Sequence, residues 1–517
     1  MKTRLSILLF SIGIIKLSSA QTTNHGIDAN WYQTPKTAAT ITGSFSSLNY
    51  VGGAVANSMV VKSNGTVIIF YKHNGQNKWI QSSDGGNTWT TPGTLPTPAT
   101  MGLSTITADI DQSDNIYIAW KSGNFSLGFS KFNGTSWSPT YTINTTTQNA
   151  GDTVSFSQIT VDRKGRVHLM WQQGNHKNYS GSFYSTCWYA RSTDGGSTFT
   201  TTQLSQNSVN YRHAAFPVAD FGGTSHDTLM IAWRENINGG NGYSNWNWNV
   251  NARISYNGGA TWNPVFTLEG ASTPTDDDQW DPNIIVDKNG VIHAFYHIYH
   301  NNTLPDYNAK IMYEYSLDGG SSWSTPIQLS TNNIRSHLIK TAYDYTNNYV
   351  WCTWKDEMDF GNLPNNPQAD LKAVYIQNTG TPFISTQEFI TDHDSSEVAL
   401  HNFKVGNDGI MRATYNISKL EGKGDTIFYT QRTALTTSIT ENHLGVEVQV
   451  FPNPTSEYVN LNLGNLKDYE ISVFNTQGML IEKRTNNLNP IYLPSNGIYF
   501  IQIMNNSKRA IVKVIKH

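Results

Sequence analysis

Charged side chains are scarce in this chain, at 14% of 517 residues, and they nearly balance to a formal net charge of -3. With no basic excess, nucleic acid and an anionic membrane surface are not expected as partners. Cysteine is scarcer still: Cys187 and Cys352 fall in predicted strands of different repeats. Two thiols cannot staple a chain of this length, and buried free thiols are the default reading, ahead of a bridge or a nucleophile. Beyond residue 20 no run is apolar enough to cross a bilayer as a helix. Residues 44–150 contain no arginine at all. What the chain does have is aromatics, at 12%, and 41 glycines, a composition suited to short strands joined by polar turns.

Residues 1–20 carry Lys2 and Arg4, an apolar run from Leu5 to Ile15, and small residues Ser18, Ser19 and Ala20 before Gln21. This is the pattern of a secretory signal peptide, to be left out of the fold.

One eight-residue stretch recurs. Ser316 to Trp323 reads SLDGGSSW, Ser82 to Trp89 SSDGGNTW, Ser192 to Phe199 STDGGSTF and Ser255 to Trp262 SYNGGATW; Ser130 to Trp137 (SKFNGTSW) keeps the outline. Each copy sits between two strand-like runs, and Asp-Gly or Asn-Gly supplies the positive φ of a tight hairpin turn. The aromatic three residues past the second glycine can fold back under the turn. This pattern resembles the Asp-box (BNR) repeat of sialidase-like β-propellers, and it marks architecture rather than chemistry.

Between these turns run apolar strands that end in an aromatic followed by a polar residue: Tyr71-Lys72, Trp120-Lys121, Trp171-Gln172, Trp233-Arg234, Tyr296-His297, Trp354-Lys355 and Tyr415-Asn416. The count predicts an all-β fold, a β-propeller of seven blades with six as the alternative, followed by a small C-terminal β-sandwich. The last unit has room for three strands, and the segment 31–42 is expected to supply the fourth. Closing the ring would remove exposed sheet edges.

After Thr433 the style changes. A start at Phe451-Pro452-Asn453-Pro454-Thr455, a central Asn475-Thr476-Gln477-Gly478 turn, the strand Gly497 to Ile501 and a Lys-rich end resemble the C-terminal sorting domain of the type IX secretion system of Bacteroidetes. The resemblance implies the secretion machinery as a partner, and a protein secreted or attached to the outer cell surface. The expected layout is signal peptide 1–20, propeller 21–436, linker 437–447 and sorting domain 448–517.

In such a propeller the starts of first strands and the ends of second strands share one face, away from the Asp-box turns. That face gathers His213, His297, His337 and His401 with Arg234, Glu235, Trp280, Asp281 and Lys355, and the connection 235–251 adds Tyr243, Trp246 and Trp248. Flat aromatic rings stack on sugars and amides bond hydroxyls, so the composition points to a polysaccharide or glycan. Packing of Trp246 and Trp248 against their own loop is an equal alternative. His297 and His300 hint at zinc, but no tight ligand spacing is present, and neither metal nor cofactor is expected.

Three functions compete. Propeller polysaccharide lyases look similar, and acidic glycan would then meet His213 or His297 as base, Tyr243 as acid and Arg234 as clamp, with Trp246, Trp248, Trp280, Asp281, Glu235, His337, Lys355 and His401 lining the substrate. A glycosidase is the related enzymatic reading. A sialidase proper is disfavoured, since no Arg-Ile-Pro segment occurs and the first two units lack arginine. A lectin-like propeller that binds glycan or protein without catalysis is the alternative, and the sequence leaves enzyme and binder open.

Overall fold

The computed structural model of this chain describes residues 26–41, 57–73, 76–97, 106–144, 153–175, 184–205, 213–236, 248–268, 277–300, 309–331, 335–357, 369–379, 381–392, 397–418, 425–432, 441–442, 444, 448–453, 455–475, 479–488, 490–505 and 508–516. The leader 1–20 lies outside them. Every regular element among the described residues is a strand. Two compact units form, Met1–Thr433 and Ala434–His517.

In the first unit, antiparallel repeats follow one another. Repeat 1 pairs Met59–Val61, Val67–His73, Gln76–Ser82 and Gly93–Thr94; repeat 2 pairs Thr107–Ile110, Ile116–Gly123, Ser126–Phe132 and Tyr141–Asn144. Repeat 3 comprises Thr153–Val161, Val167–Asn175, Tyr184–Ser192 and Thr200–Gln203, and repeat 4 His213–Gly222, Thr228–Asn236, Trp248–Ser255 and Phe266–Thr267. Repeat 5 comprises Asp277–Val286, Ile292–His300, Lys310–Ser316 and Ile327–Gln328. Repeat 6 has Arg335–Asp344, Tyr349–Glu357 and Ala369–Thr379, with Thr381–Ile384 and Glu388–Phe389 on its outer edge. Repeat 7 is Glu397–Val405, Met411–Ser418 and Asp425–Arg432, and its fourth strand is the N-terminal Lys36–Ile41.

Each first strand adjoins the first strand of the next repeat, and that of repeat 7 adjoins that of repeat 1. There the Ser58 amide donates to Asn402 Oδ1 (3.0 Å) and Asn402 Nδ2 donates to Ser58 Oγ (2.9 Å). The N-terminal segment is also held by a buried carboxylate: Glu388 accepts Trp31 Nε1 at 2.9 Å and Arg432 Nε and Nη2 at 2.7 Å each.

The recurring turn is built from its own side chains. In the first copy, Asp84 Oδ1 accepts the Thr88 amide (2.9 Å) and Ser82 Oγ (2.8 Å), and Asp84 Oδ2 accepts Thr88 Oγ1 (2.6 Å). The same bonds recur around Asp194 and Asp318, and Asn257 keeps the amide acceptor role. The Thr88 hydroxyl and amide hold the Asp84 carboxyl at a pKa of about 2. Because the turn itself occupies these oxygens, the carboxylates are structural.

The aromatic of each turn does more than fold back. Trp89 packs edge-on against Tyr429 of repeat 7 (5.6 Å), Phe199 against Phe129 of repeat 2 (5.4 Å) and Trp262 against Tyr189 of repeat 3 (5.1 Å). Trp137 reaches Phe70 of repeat 1 and Trp323 reaches Phe266 of repeat 4. In all five copies the ring docks on the preceding repeat. The second glycine is part of the same joint, because a Cβ on Gly86 would lie 2.4 Å from Tyr429 Cδ1.

Cys187 and Cys352 are free and fully buried in repeats 3 and 6. The second unit stacks a five-stranded sheet (Glu441–Asn442, Lys508–Lys516, Gly497–Asn505, Glu470–Asn475, Leu480–Thr485) and a three-stranded one (Gln449–Phe451, Tyr458–Asn462, Ile491–Tyr492) around Val459, Ile471, Val473, Ile501 and Val514.

Two glycine substitutions test the joint. Gly86 and Gly134 both have positive φ (84 and 94), but a Cβ on Gly134 meets nothing within 4 Å. Gly86→Ala should lower the thermal midpoint more than Gly134→Ala, by the equivalent of about 1–3 kcal/mol of overpacking. Equal midpoints in calorimetry would remove the joint from the account.

Candidate functional site

Strand alternation decides which side chains can meet at the face remote from the Asp-box turns. In repeats 3, 4 and 6 a second-strand tryptophan is fully buried and its indole donates two residues along the same face: Trp171 Nε1 to Gln173 Oε1 (3.3 Å), Trp233 Nε1 to Glu235 Oε2 (2.9 Å) and Trp354 Nε1 to Asp356 Oδ1 (2.7 Å). The residue between therefore points the other way. Gln172, Arg234, His297 and Lys355 occupy this one register position in repeats 3 to 6.

Glu235 is consequently not a substrate-lining group. It is 1% exposed and its Oε2 also accepts Asn251 Nδ2 at 2.8 Å. The expected loop 235–251 is shorter too, because Trp248–Ser255 is strand.

The first strands supply the other half of the site through a repeated irregularity. Register shifts fall between Ala215 and Val218, Trp280 and Asn283, and His337 and Lys340. Inside each bulge one non-glycine residue has positive φ: Phe216 (54), Asp281 (48) and Leu338 (55). Such backbone costs about 1–3 kcal/mol per residue and is found where it aims a side chain.

Arg234 lies in the cage these bulges make. Its guanidinium carbon is 3.8 Å from the Trp280 ring centroid, 4.1 Å from Phe216 and 4.7 Å from Trp248, and Nη1 is 3.7 Å from Asp281 Oδ1. Burial raises the Asp281 carboxyl pKa, against the pull of Arg234, His337 and Lys340. Phe216 was not foreseen in the sequence, where a Phe-Pro pair in an apolar run reads as core.

From the cage a chain of rings continues in both directions. His213 meets Trp248 edge-on at 5.1 Å, and its Nε2 is 3.1 Å from Gln172 Nε2. Trp248 contacts Trp280 (5.6 Å), Trp280 stacks on His297 (6.4 Å), and His297 meets His337 at right angles (6.4 Å). His337 Nε2 is 2.8 Å from Glu357 Oε1, and Glu357 also takes Lys355 Nζ and Arg335 Nη1, each at 2.8 Å. Burial works to raise the Glu357 pKa, but the His337 hydrogen bond and the charges of His337, Lys355 and Arg335 outweigh it and hold the carboxyl low.

Burial holds His297 well below the ordinary imidazole range, reinforced by His337, Arg234 and Arg335. His337 is lowered chiefly by burial, with Glu357 opposing. His401 sits apart: its Nε2 is 3.1 Å from Thr353 Oγ1 between repeats 6 and 7, and burial keeps it neutral.

Among the expected residues, His213, Arg234, Trp248, Trp280, Asp281, His297, His337 and Lys355 thus form one linked array. Trp248 is a wall of the cage rather than an open platform, at 1% exposure. Tyr243 and Trp246 lie outside the described residues. Among the described residues no group of three or more His, Cys, Asp or Glu is placed to hold a metal ion.

Residues 449–517 match the family described as the secretion system C-terminal sorting domain. The protein is therefore directed to secretion and the outer cell surface. Among the described residues no helix is long and apolar enough to cross a membrane. No curated protein matches the chain. Similar solved structures include a polysaccharide lyase PL25 ulvan lyase, at TM-score 0.50 and 12% identity over 78% of this chain and 96% of that one. The polysaccharide lyase Uly1 is also similar, at TM-score 0.48 and 10% identity over 77% and 99%. At 12% identity the first likeness concerns the fold alone.

The buried neutral histidine has a consequence for stability. Below about pH 6.5 the unfolded chain takes up a proton that folded His297 refuses, so stability present above that pH is lost as the pH falls. The thermal midpoint of His297→Gln should therefore fall less steeply than that of the unaltered protein between about pH 7 and 5. Parallel slopes would mean that His297 titrates normally.

Proposed function

We propose that residues 21–436 form a closed, seven-bladed Asp-box propeller and that its His213–Arg234–His297 face cleaves an acidic polysaccharide by β-elimination. The observation that carries this reading is the caged Arg234 beside a neutral, buried imidazole, within an array of rings that three separate repeats contribute. The fold likeness to a polysaccharide lyase supports it. So does the rim itself: the register position after the buried aromatic carries Lys72, Lys121, Gln172, Arg234, His297, Lys355 and Asn416, with no acid among them.

Elimination removes the proton beside a uronate carboxylate, moves its electron pair into a new C–C double bond and expels the glycosidic oxygen, which must be protonated. A base needs to be unprotonated near neutral pH, which the low pKa of His297 provides. Charge developing on the carboxylate is met by Arg234, whose three aromatic neighbours hold it without needing to reorganise. His213, one ring further along, is the second candidate base. Tyr243 remains the candidate acid, and His337, kept in place by Glu357, borders the site.

The mature chain should release product absorbing in the ultraviolet from at least one acidic polysaccharide in a panel. His297→Ala should reduce that rate by about a hundred- to ten-thousand-fold. Arg234→Ala should lose comparable rate, with Arg234→Lys intermediate. Binding of glycan without any unsaturated product would instead make the propeller a lectin. Full activity in both His213→Ala and His297→Ala would remove the base assignment.

A further inference from the structure

The first unit has a second mouth, on the face where first strands turn into second strands. One position in each of six hairpins lines it. Ser63, Gln112, Arg163, Lys288, Tyr345 and Asn407 come from repeats 1, 2, 3, 5, 6 and 7 and surround adjoining cavities of about 340 and 230 Å3. Lys404 lines both cavities from the first strand of repeat 7. Nothing in the β-elimination chemistry uses these groups.

Arg163 is the feature that calls for an explanation. Its guanidinium carbon stands 3.5 Å above the Tyr345 ring centroid. A guanidinium lying flat on a ring keeps its N–H donors at the edge, directed away from the stack. Among the described residues it has no hydrogen-bond or ion-pair partner. Lys288 Nζ is 5.7 Å from the same ring and makes one long bond, 3.4 Å, to the Tyr345 carbonyl. Lys404 Nζ faces Asp109 Oδ1 at 3.8 Å. Three cations thus border the cavities with donor capacity to spare.

Five aspartates line the same cavities, Asp109, Asp111, Asp114, Asp162 and Asp220, and each is already engaged, Asp162 with Arg166 and His168. Asp109 Oδ2 accepts the Val161 amide (2.8 Å) and Thr160 Oγ1 (3.1 Å). Asp111 accepts the amides of Ser113 and Asn115 at 2.9 Å, together with Tyr117 Oη. Asp114 takes the Ser63 amide at 2.7 Å and its hydroxyl at 2.6 Å. Asp220, below the mouth, accepts the Val286 amide, and burial pushes its carboxyl up to about 7, so it repels an incoming anion less than an ordinary aspartate.

We propose that this mouth is an anion-binding site, separate from the face that carries His213 and His297, and that Arg163, Lys288 and Lys404 hold a small oxyanion there. The ligand is a carboxylate or sulfate group on an acidic sugar, or the free inorganic ion. The fork of Arg163 matches two oxygens of either group, and the two lysines add point charges. The cavity is at the small end for organic ligands, room for about one sugar ring rather than a polymer segment. This inference stands whether or not the opposite face is a lyase.

The test is calorimetric titration of the full chain carrying Arg234→Ala, so that the clamp on the other face is gone, with glucuronate, sodium sulfate, sodium phosphate and neutral glucose. Saturable binding of at least one anion is expected, with none for glucose. Affinity should fall at least tenfold in Arg163→Ala and in Lys404→Ala, each made in that background with the thermal midpoint recorded. Glucuronate bound more tightly than sulfate and phosphate identifies a sugar acid, and the reverse order a free inorganic anion; both orders support the site. If Arg163→Ala lowers the midpoint, Arg163→Gln and Lys404→Ala carry the comparison. Absence of binding by any anion, or binding unchanged in the Arg163 and Lys404 variants, would overturn the proposal.

Discussion

A ring three residues past a glycine pair, pressed against the sheet before it, is the contact on which the rest of the first unit depends. Tyr429, Phe129 and Tyr189 receive Trp89, Phe199 and Trp262 in the same edge-on way. The close approach needs the bare Cα of the second glycine, and the turn that presents it is held by its own Asp or Asn. Because the same docking recurs in repeats 1 to 5, those consecutive sheets keep the same phase. Equivalent positions of different repeats then arrive at the same level. A slip of one residue in any second strand would send its polar side chain to the opposite face of the sheet.

That phase is what makes two chemically distinct mouths from one repeated pattern. At one end, the residue after the buried aromatic comes forward in repeats 3 to 6 as Gln172, Arg234, His297 and Lys355. At the other, the hairpin residue after the strand end comes forward as Arg163, Lys288, Tyr345 and Asn407. Both ends present cations, Arg234 and Lys355 at one and Arg163, Lys288 and Lys404 at the other, although the chain as a whole carries -3. Other acids are drawn into turns, as Asp84, Asp194 and Asp318 are, or into buried pairs such as Glu388 with Arg432, and the aspartates that line the second mouth are held by hydrogen bonds.

Bulged first strands mark one of these ends. Phe216, Asp281 and Leu338 occupy positive φ inside bulges of three successive first strands. Each bulge lets the strand continue past the register break, and the first two bring the Phe216 ring and the Asp281 carboxylate to Arg234. The caged Arg234 and the His297–His337 contact exist because of those bends.

Turn chemistry, strand parity and the sorting domain were all legible in the residues, because each depends on local periodicity or on a short contiguous motif. Parity alone excludes Glu235, since it shares a strand face with buried Trp233. The capture of Lys36–Ile41 as the fourth strand of repeat 7 also followed from counting strands. Which polar residues meet was decided only by tertiary structure. His401 and His337 are both histidines of first strands, yet one ends against Thr353 and the other against Glu357. Bulges have no strong signature in a single sequence, and contacts such as Arg163 on Tyr345 join hairpins far apart in the chain. Such contacts are set by the angle between sheets, which no local stretch of residues encodes.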